Sequence, residues 1–295
     1  MNILSYPEAL KPLMAIIIAI ASLFTSLFFD VNIPYKTNGP DLSKYKLTWN
    51  DEFDGDELDF SKWDGHFFNH GDTVIRRGSY WNTDLCSVKD GNLHIASRYY
   101  PEGLNGNGKP GWYTAGIDTG KSFSQKQGYF ECRCILPKGY GQWAAFWTFC
   151  SGVNLTDHDG EKGAEIDIFE SPYYGNEKKI MKNTVESNIH INGYGDKHRH
   201  DHVCQAFVAA NNPYEEYNTY GLEWNENEYI FYINGVESGR TQFGVSQVPE
   251  WLILSVEIAG NDGVVDEDFR GHCINDEDNE MTDFIVDYVR AYSLK

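Results

Sequence analysis

The sequence predicts an all-β domain of two packed antiparallel sheets, and three observations carry that expectation. Aromatic residues are abundant, with 8 Trp, 19 Tyr and 17 Phe making up 15% of the chain beside 28 Gly, a mixture that suits short strands and tight turns better than helices. Short runs of alternating apolar and polar residues recur through the chain, separated by Gly, Asn, Asp or Pro. Beyond residue 29 no useful helical period appears, and there is no internal repeat. With 41% hydrophobic residues over 295 positions, the chain is long enough to bury the core of one large β domain.

Taken in order, residues 1–29 stand apart. An uncharged apolar run from Leu13 to Phe29 follows Lys11 and ends at Asp30, the pattern of a signal peptide or a membrane anchor. Ala19-Ile20-Ala21 offers a small-residue cleavage site inside the run. Either form puts the folded part outside, secreted or tethered to the outer face of the membrane. Residues 30–45 read as a polar linker, and 46–295 as the folded domain. Within it the alternation is clearest at Leu93–Ser97, Gly128–Leu136, Trp143–Phe149, Ala164–Phe169, Glu228–Asn234, Leu252–Ile258 and Phe284–Tyr292. Asp90-Gly91 precedes one of these strands and Asn234-Gly235 ends another, which is hairpin chemistry. The cysteines, 6 in all, form no CxxC pair and no zinc-ligand spacing. Cys132 and Cys134 share a strand face and are expected as small buried side chains.

Charge narrows the partners. Lys and Arg number 24 against 44 Asp and Glu, a formal charge of −20, so the clustered cations that nucleic-acid phosphates require are absent. Membrane contact is expected only through the N-terminal segment, and the chain is expected to be a monomer.

The richest chemistry lies in GAEIDIFES, residues 163–171. In a regular strand Glu165, Asp167 and Phe169 share one face, while Glu170 points the other way with Ile166 and Ile168. A carboxylate on that apolar face is costly, so a one-residue bulge near Ile168-Phe169 is expected to return Glu170 beside the other two acids. Close carboxyls resist joint ionisation, so one holds its proton while another stays charged. Retaining glycoside hydrolysis needs that division of labour, one carboxylate to attack and one acid to protonate the leaving oxygen. A solvated acidic edge would not alternate so cleanly with isoleucines, and a calcium loop usually mixes Gly and Asn among its acids.

These residues resemble glycoside hydrolase family 16, whose bulged subgroup carries a Glu-x-Asp-x-x-Glu strand. TWNDEFDGDELDFSKW at 48–63, GYFECRCILPKGYGQWAAFWTF at 128–149, YGLEWNENEYIFYING at 220–235 and VDYVRAY at 286–292 extend the resemblance in the family's order. It implies a β-jelly-roll sandwich with a substrate cleft on its concave face. It also implies Glu165 as nucleophile, Asp167 as assisting acid and Glu170 as general acid/base. Trp143 and Trp147 match aromatic positions beside the sugar subsites, and His190 matches a histidine near the acids. Catalysis needs no cofactor on this reading, but family members often hold a structural calcium, here matched by the carbonyls of Glu52 and Gly91 with Asp287. Glu257 departs from the small apolar residue of many β-glucan-cleaving members and is expected in the substrate cleft. His198, His200 and His202 are expected in loops lining that cleft.

The implied activity is a retaining endo-glycosidase on a polysaccharide, with β-1,3-glucan the expected substrate and a β-galactan or mucin-type glycan the alternative. A carbohydrate-binding jelly roll without turnover would be favoured by a missing carboxylate, and none is missing. A structural surface protein has no need of three converging acids.

Overall fold

The computed structural model describes residues 13, 16, 17, 19–21, 39–173, 183–208, 211–265 and 281–295. Most of the N-terminal apolar run, Cys273 and much of the acid-rich stretch before Asp287 lie outside the described residues. Among the described residues no helix is long and apolar enough to cross a membrane.

With strands numbered in chain order, one eight-stranded antiparallel sheet runs β17 (Val236–Thr241), β16 (Tyr229–Ile233), β15 (Asn218–Trp224), β10 (Gly128–Ile135), β21 (Phe284–Leu294), β6 (Asn92–Ile95) and β5 (Cys86–Lys89), with β1 (Tyr45–Asp51) also paired to β21. A seven-stranded antiparallel sheet runs β14 (Arg199–Phe207), β13 (Thr184–Ile191), β12 (Glu165–Pro172), β11 (Gln142–Phe149), β18 (Trp251–Ile258), β9 (Gly116–Asp118) and β2 (Asp64–Gly65). A smaller four-stranded sheet of β3 (Val74–Arg76), β4 (Ser79–Trp81), β8 (Gly111–Thr114) and β7 (Arg98–Tyr100) completes the frame around the cleft.

Every strand expected from alternation is present within a few residues of its predicted bounds. Both predicted turns close hairpins. Asp90 and Gly91 have φ of 53° and 72°, and Asn234 and Gly235 have 51° and 71°, the paired left-handed residues of a type I′ turn that matches strand twist. One expectation is corrected: His200 and His202 lie in β14 rather than in a loop. The charged composition of that stretch masked its alternation, because β14 is an edge strand and has one side open to solvent.

The core fills the space between the two large sheets. Phe130, Cys132 and Cys134 of β10 face Ala144 and Phe146 of β11, Ile166 and Phe169 of β12, and Leu252, Leu254 and Val256 of β18, all with no exposed surface. Phe169 bridges the sheets, its ring 4.4 Å from that of Tyr220 and 6.2 Å from that of Phe284. Burying one such side chain contributes about 1.5–3 kcal/mol, so the inward rows lock the strand register. The described cysteines are all free of disulfides, and Cys132 and Cys134 are buried as expected.

Candidate active site

The acid strand lies between β11 and β13, and a bulge sets its direction. Phe146 pairs with Phe169 while the next residue, Trp147, pairs with Asp167, which leaves Ile168 as the extra residue. Phe169 therefore turns into the core and Glu170 returns to the outer face with Glu165 and Asp167. The three acids, with Trp143, Trp147 and Glu257, line one cleft of about 320 Å³ on the outer side of the seven-stranded sheet. The neighbouring strand repeats the period: His190 pairs with Glu165, Asn188 with Asp167 and Glu186 with Glu170.

Each acid has a different environment. Glu170 accepts a 2.6 Å hydrogen bond from the Asn188 amide, and burial followed by the Asp167 charge pushes its pKa well above the carboxylate range. Asp167 is 3% exposed; burial and then the Glu165 charge raise its pKa strongly too. Its Oδ2 has no hydrogen bond and lies 3.4 Å from His190 Nε2. Burial also raises the Glu165 pKa, but the Tyr194 hydroxyl, which donates to Glu165 Oε2, and the nearby His190 oppose the rise. Glu165, Asp167 and His190 each bring a polar atom within 4.8 Å of the other two. Behind His190, its Nδ1 meets His198 Nε2 at 2.9 Å, with ring planes 9° apart and centroids 5.1 Å apart. That separation fits two rings joined edge to edge by an N–H···N bond, so one of the facing nitrogens must lack a proton.

The wall opposite was not foreseen. Arg76, the last residue of β3, and Arg77, in the turn that follows, both bind the Glu257 carboxylate, Arg76 Nε at 2.6 Å. The Arg77 guanidinium also sits 4.8 Å from the centre of the Trp143 ring, so that indole already has a cation on its face. Trp147 is only 6% exposed and donates its Nε1 to Ser255 at 3.1 Å, which leaves little of its face open. The open aromatics are Phe67, 63% exposed, and Tyr194, 57% exposed. The signals available for these residues were slight: an Arg-Arg pair in an acidic chain, and a tyrosine between two glycines just after His190.

The calcium positions lie on the other sheet. Glu52 follows β1, Gly91 is in the β5–β6 turn and Asp287 is on β21. The Glu52 carboxylate is held by one edge of Arg290, whose Nε and Nη2 donate at 2.9 and 2.7 Å, and Asp287 is paired with Arg133. Of the expected ligands only Asp287 would use its carboxylate, and here that carboxylate is paired with Arg133.

Sandwich and site together define a class, a β-jelly-roll protein with an open cleft in which carboxyls face aromatic and polar walls. The chain belongs to glycoside hydrolase family 16: the family model for the GH16 domain of beta-porphyranases A–D matches residues 46–294. Its relatives include endo-1,3-1,4-beta-glycanase EglC of Rhizobium meliloti, 29% identical over 70% of this chain and 39% of that protein. Beta-porphyranase B of Zobellia galactanivorans is 25% identical over 74% of this chain and 77% of the relative. Among solved structures, the catalytic domain of an endo-1,3-beta-glucanase (laminarinase) from Thermotoga petrophila superposes with a TM-score of 0.63 at 23% identity, covering 85% of this chain and 98% of that one. The chain thus spans well under half the length of the Rhizobium relative.

Proposed function

We propose that this chain is an endo-acting, retaining glycoside hydrolase that cuts internal β-glycosidic bonds, with β-1,3-glucan as the first substrate. One observation carries the reading: the Ile168 bulge turns Glu170 onto the cleft that holds Glu165, while the two carboxyls keep different partners. Glu165, with a donor on its carboxylate, is suited to attack the anomeric carbon. Glu170, held protonated by burial and by Asp167, is suited to protonate the departing oxygen. A water deprotonated by Glu170 then releases the sugar from Glu165, and two inversions leave the configuration unchanged. Asp167 lies between the two in sequence and assists by sharing their proton. The glucanase relatives support the glucan.

A second reading, an anionic β-galactan, has its own observation. Two guanidiniums meet a single carboxylate at Glu257, which leaves a positive charge on the cleft wall where Arg77 covers Trp143. The β-porphyranase relative and family model support this branch. The chain is to be incubated with β-1,3-glucan, neutral β-galactan and sulfated β-galactan. Early release of oligosaccharides of several lengths from one of them supports endo-hydrolysis and selects the sugar. Reversible binding without products would favour a carbohydrate-binding domain. Proton NMR of the first product should show the β-anomer, and an initial α-anomer would overturn the role given to Glu165.

We further infer an exported protein, monomeric and either released or tethered by residues 1–29. N-terminal sequencing of the protein in medium and membrane fractions separates release from tethering, and sedimentation tests the monomer. A structural calcium held by the Glu52 and Gly91 carbonyls with Asp287 would have to displace Arg133 from Asp287. With Asp287 already paired, the melting temperature is expected to be the same in calcium and in EDTA; a clear rise with calcium would show that the site forms.

A further inference from the structure

We propose that Tyr194 is a positioning residue that keeps Glu165, rather than its neighbours, in the charged state. The proposal rests on the reading of Glu165 as nucleophile. Its geometry starts in the turn that follows β13. Asn192 and Gly193 both adopt left-handed backbone, with φ of 67° and 68°, which lifts the next residue out of the sheet and over the end of the acid row. The turn is tied on both sides. The Gly193 amide donates to the Val153 carbonyl at 2.7 Å, and the His198 amide donates to the Gly195 carbonyl at 2.9 Å. The Tyr194 ring is thus held at the cleft wall, and its hydroxyl donates to Glu165 Oε2.

A phenol is a donor that stabilises the charged carboxylate far more than the neutral acid. Three acids in one row would otherwise compete for the same negative charge, and burial alone does not decide which keeps it. Asn188 gives Glu170 a neutral donor, and Asp167 has an oxygen with no hydrogen bond. Tyr194 breaks the tie at Glu165. The other charged or titratable groups acting on Glu165 are His190 on β13, Arg76 on β3, Glu257 on β18, and Asp167 and Glu170 on its own strand. Glu250, which precedes β18, also feels its charge. The Tyr194 hydroxyl can be removed from Glu165 by taking away a single oxygen atom.

The test is the pH dependence of kcat/KM in full-length protein. Removing the hydroxyl raises the Glu165 pKa, so the ionised nucleophile is lost at higher pH as the solution is acidified. Tyr194→Phe should move the acid limb up by about half a unit to one unit, with about threefold to tenfold loss on that limb and KM within about twofold. Fluorotyrosine at 194 keeps the shape and strengthens the donor, so it should move the limb the opposite way. It also covers the case in which the phenylalanine variant fails to fold. An unmoved limb in either folded variant, or a change in KM alone, would overturn the proposal and make Tyr194 a sugar contact. Glu165→Ala with azide keeps the two readings apart. If an α-glycosyl azide forms from an activated β-substrate while the limb stays unmoved, only the Tyr194 proposal fails; if no azide product forms, the nucleophile reading falls and takes the proposal with it.

Discussion

Glu170 and Glu165 are the same residue type on the same strand, and their partners make them chemically different. The acid of the pair should set the alkaline limb of the pH profile, because its raised pKa keeps the proton available until the pH passes it. Glu170→Gln is expected to flatten that limb and to spare substrates with a good leaving group, which need no proton. Equal loss on both substrate kinds, measured as kcat/KM across pH, would sink the assignment. His190 adds a second layer to the row. It faces Asp167 with one nitrogen and His198 with the other, a role that the alternation of NIHING could place beside the acids but could not pair.

At the scale of elements, the bulge in β12 raises a direct question about counting. Without Ile168 the strand would read Glu-Ile-Asp-Phe-Glu, and strict alternation would still put Phe169 inward and Glu170 outward. Deleting Ile168 is therefore expected to leave a folded chain with reduced but measurable hydrolysis, checked by near-UV circular dichroism and reducing-end assay. A folded chain with no turnover would show that the extra residue sets the reach of Glu170. A second device holds the start of the same strand. Glu250, fully buried, accepts from Thr148 Oγ1 at 2.5 Å and from the Ala164 amide at 3.0 Å, and burial lifts its pKa from 4.5 to about 7. A raised folded-state pKa means stability that is present below the unfolded value and lost as pH rises through the folded one. Relative to Glu250→Gln, the unmutated chain should lose about 3 kcal/mol between pH 4.5 and pH 7, read from urea unfolding across that window. A difference that does not change with pH would show Glu250 to titrate normally.

The whole molecule carries a formal charge of −20, and that field bears on the two substrate readings in opposite ways. An anionic galactan must approach against it, so added salt should lower its KM by screening the repulsion. A neutral β-glucan should show no such dependence. Initial rates on each polymer over a range of sodium chloride concentrations check this, and a KM for the charged polymer that does not move with salt would place the local arginine pair above the global charge. The charge also explains why a site with two cleft arginines was hidden in a composition that argues against cations: a pair of guanidiniums changes the balance of a surface locally without changing the total.

Alternation, the two hairpin turns and the spacing of Glu165, Asp167 and Glu170 were legible in the chain because strand period and turn geometry are local properties. They determined the all-β class, the inward row from Phe130 to Cys134, and the need for a bulge near Ile168. The partners of those acids were not legible. Asn188 and Tyr194 come from β13 and the turn after it, beside the acid strand, while Arg76 and Arg77 come from the distant end of β3, so strand pairing and the packing of a second sheet bring these groups to the acids. The same packing set Glu257 in the cleft with two arginine partners and paired Asp287 with Arg133. Tertiary structure decided which carboxyl holds a charge, because ionisation depends on burial and on donors from other strands, and neither is written in the order of residues along one.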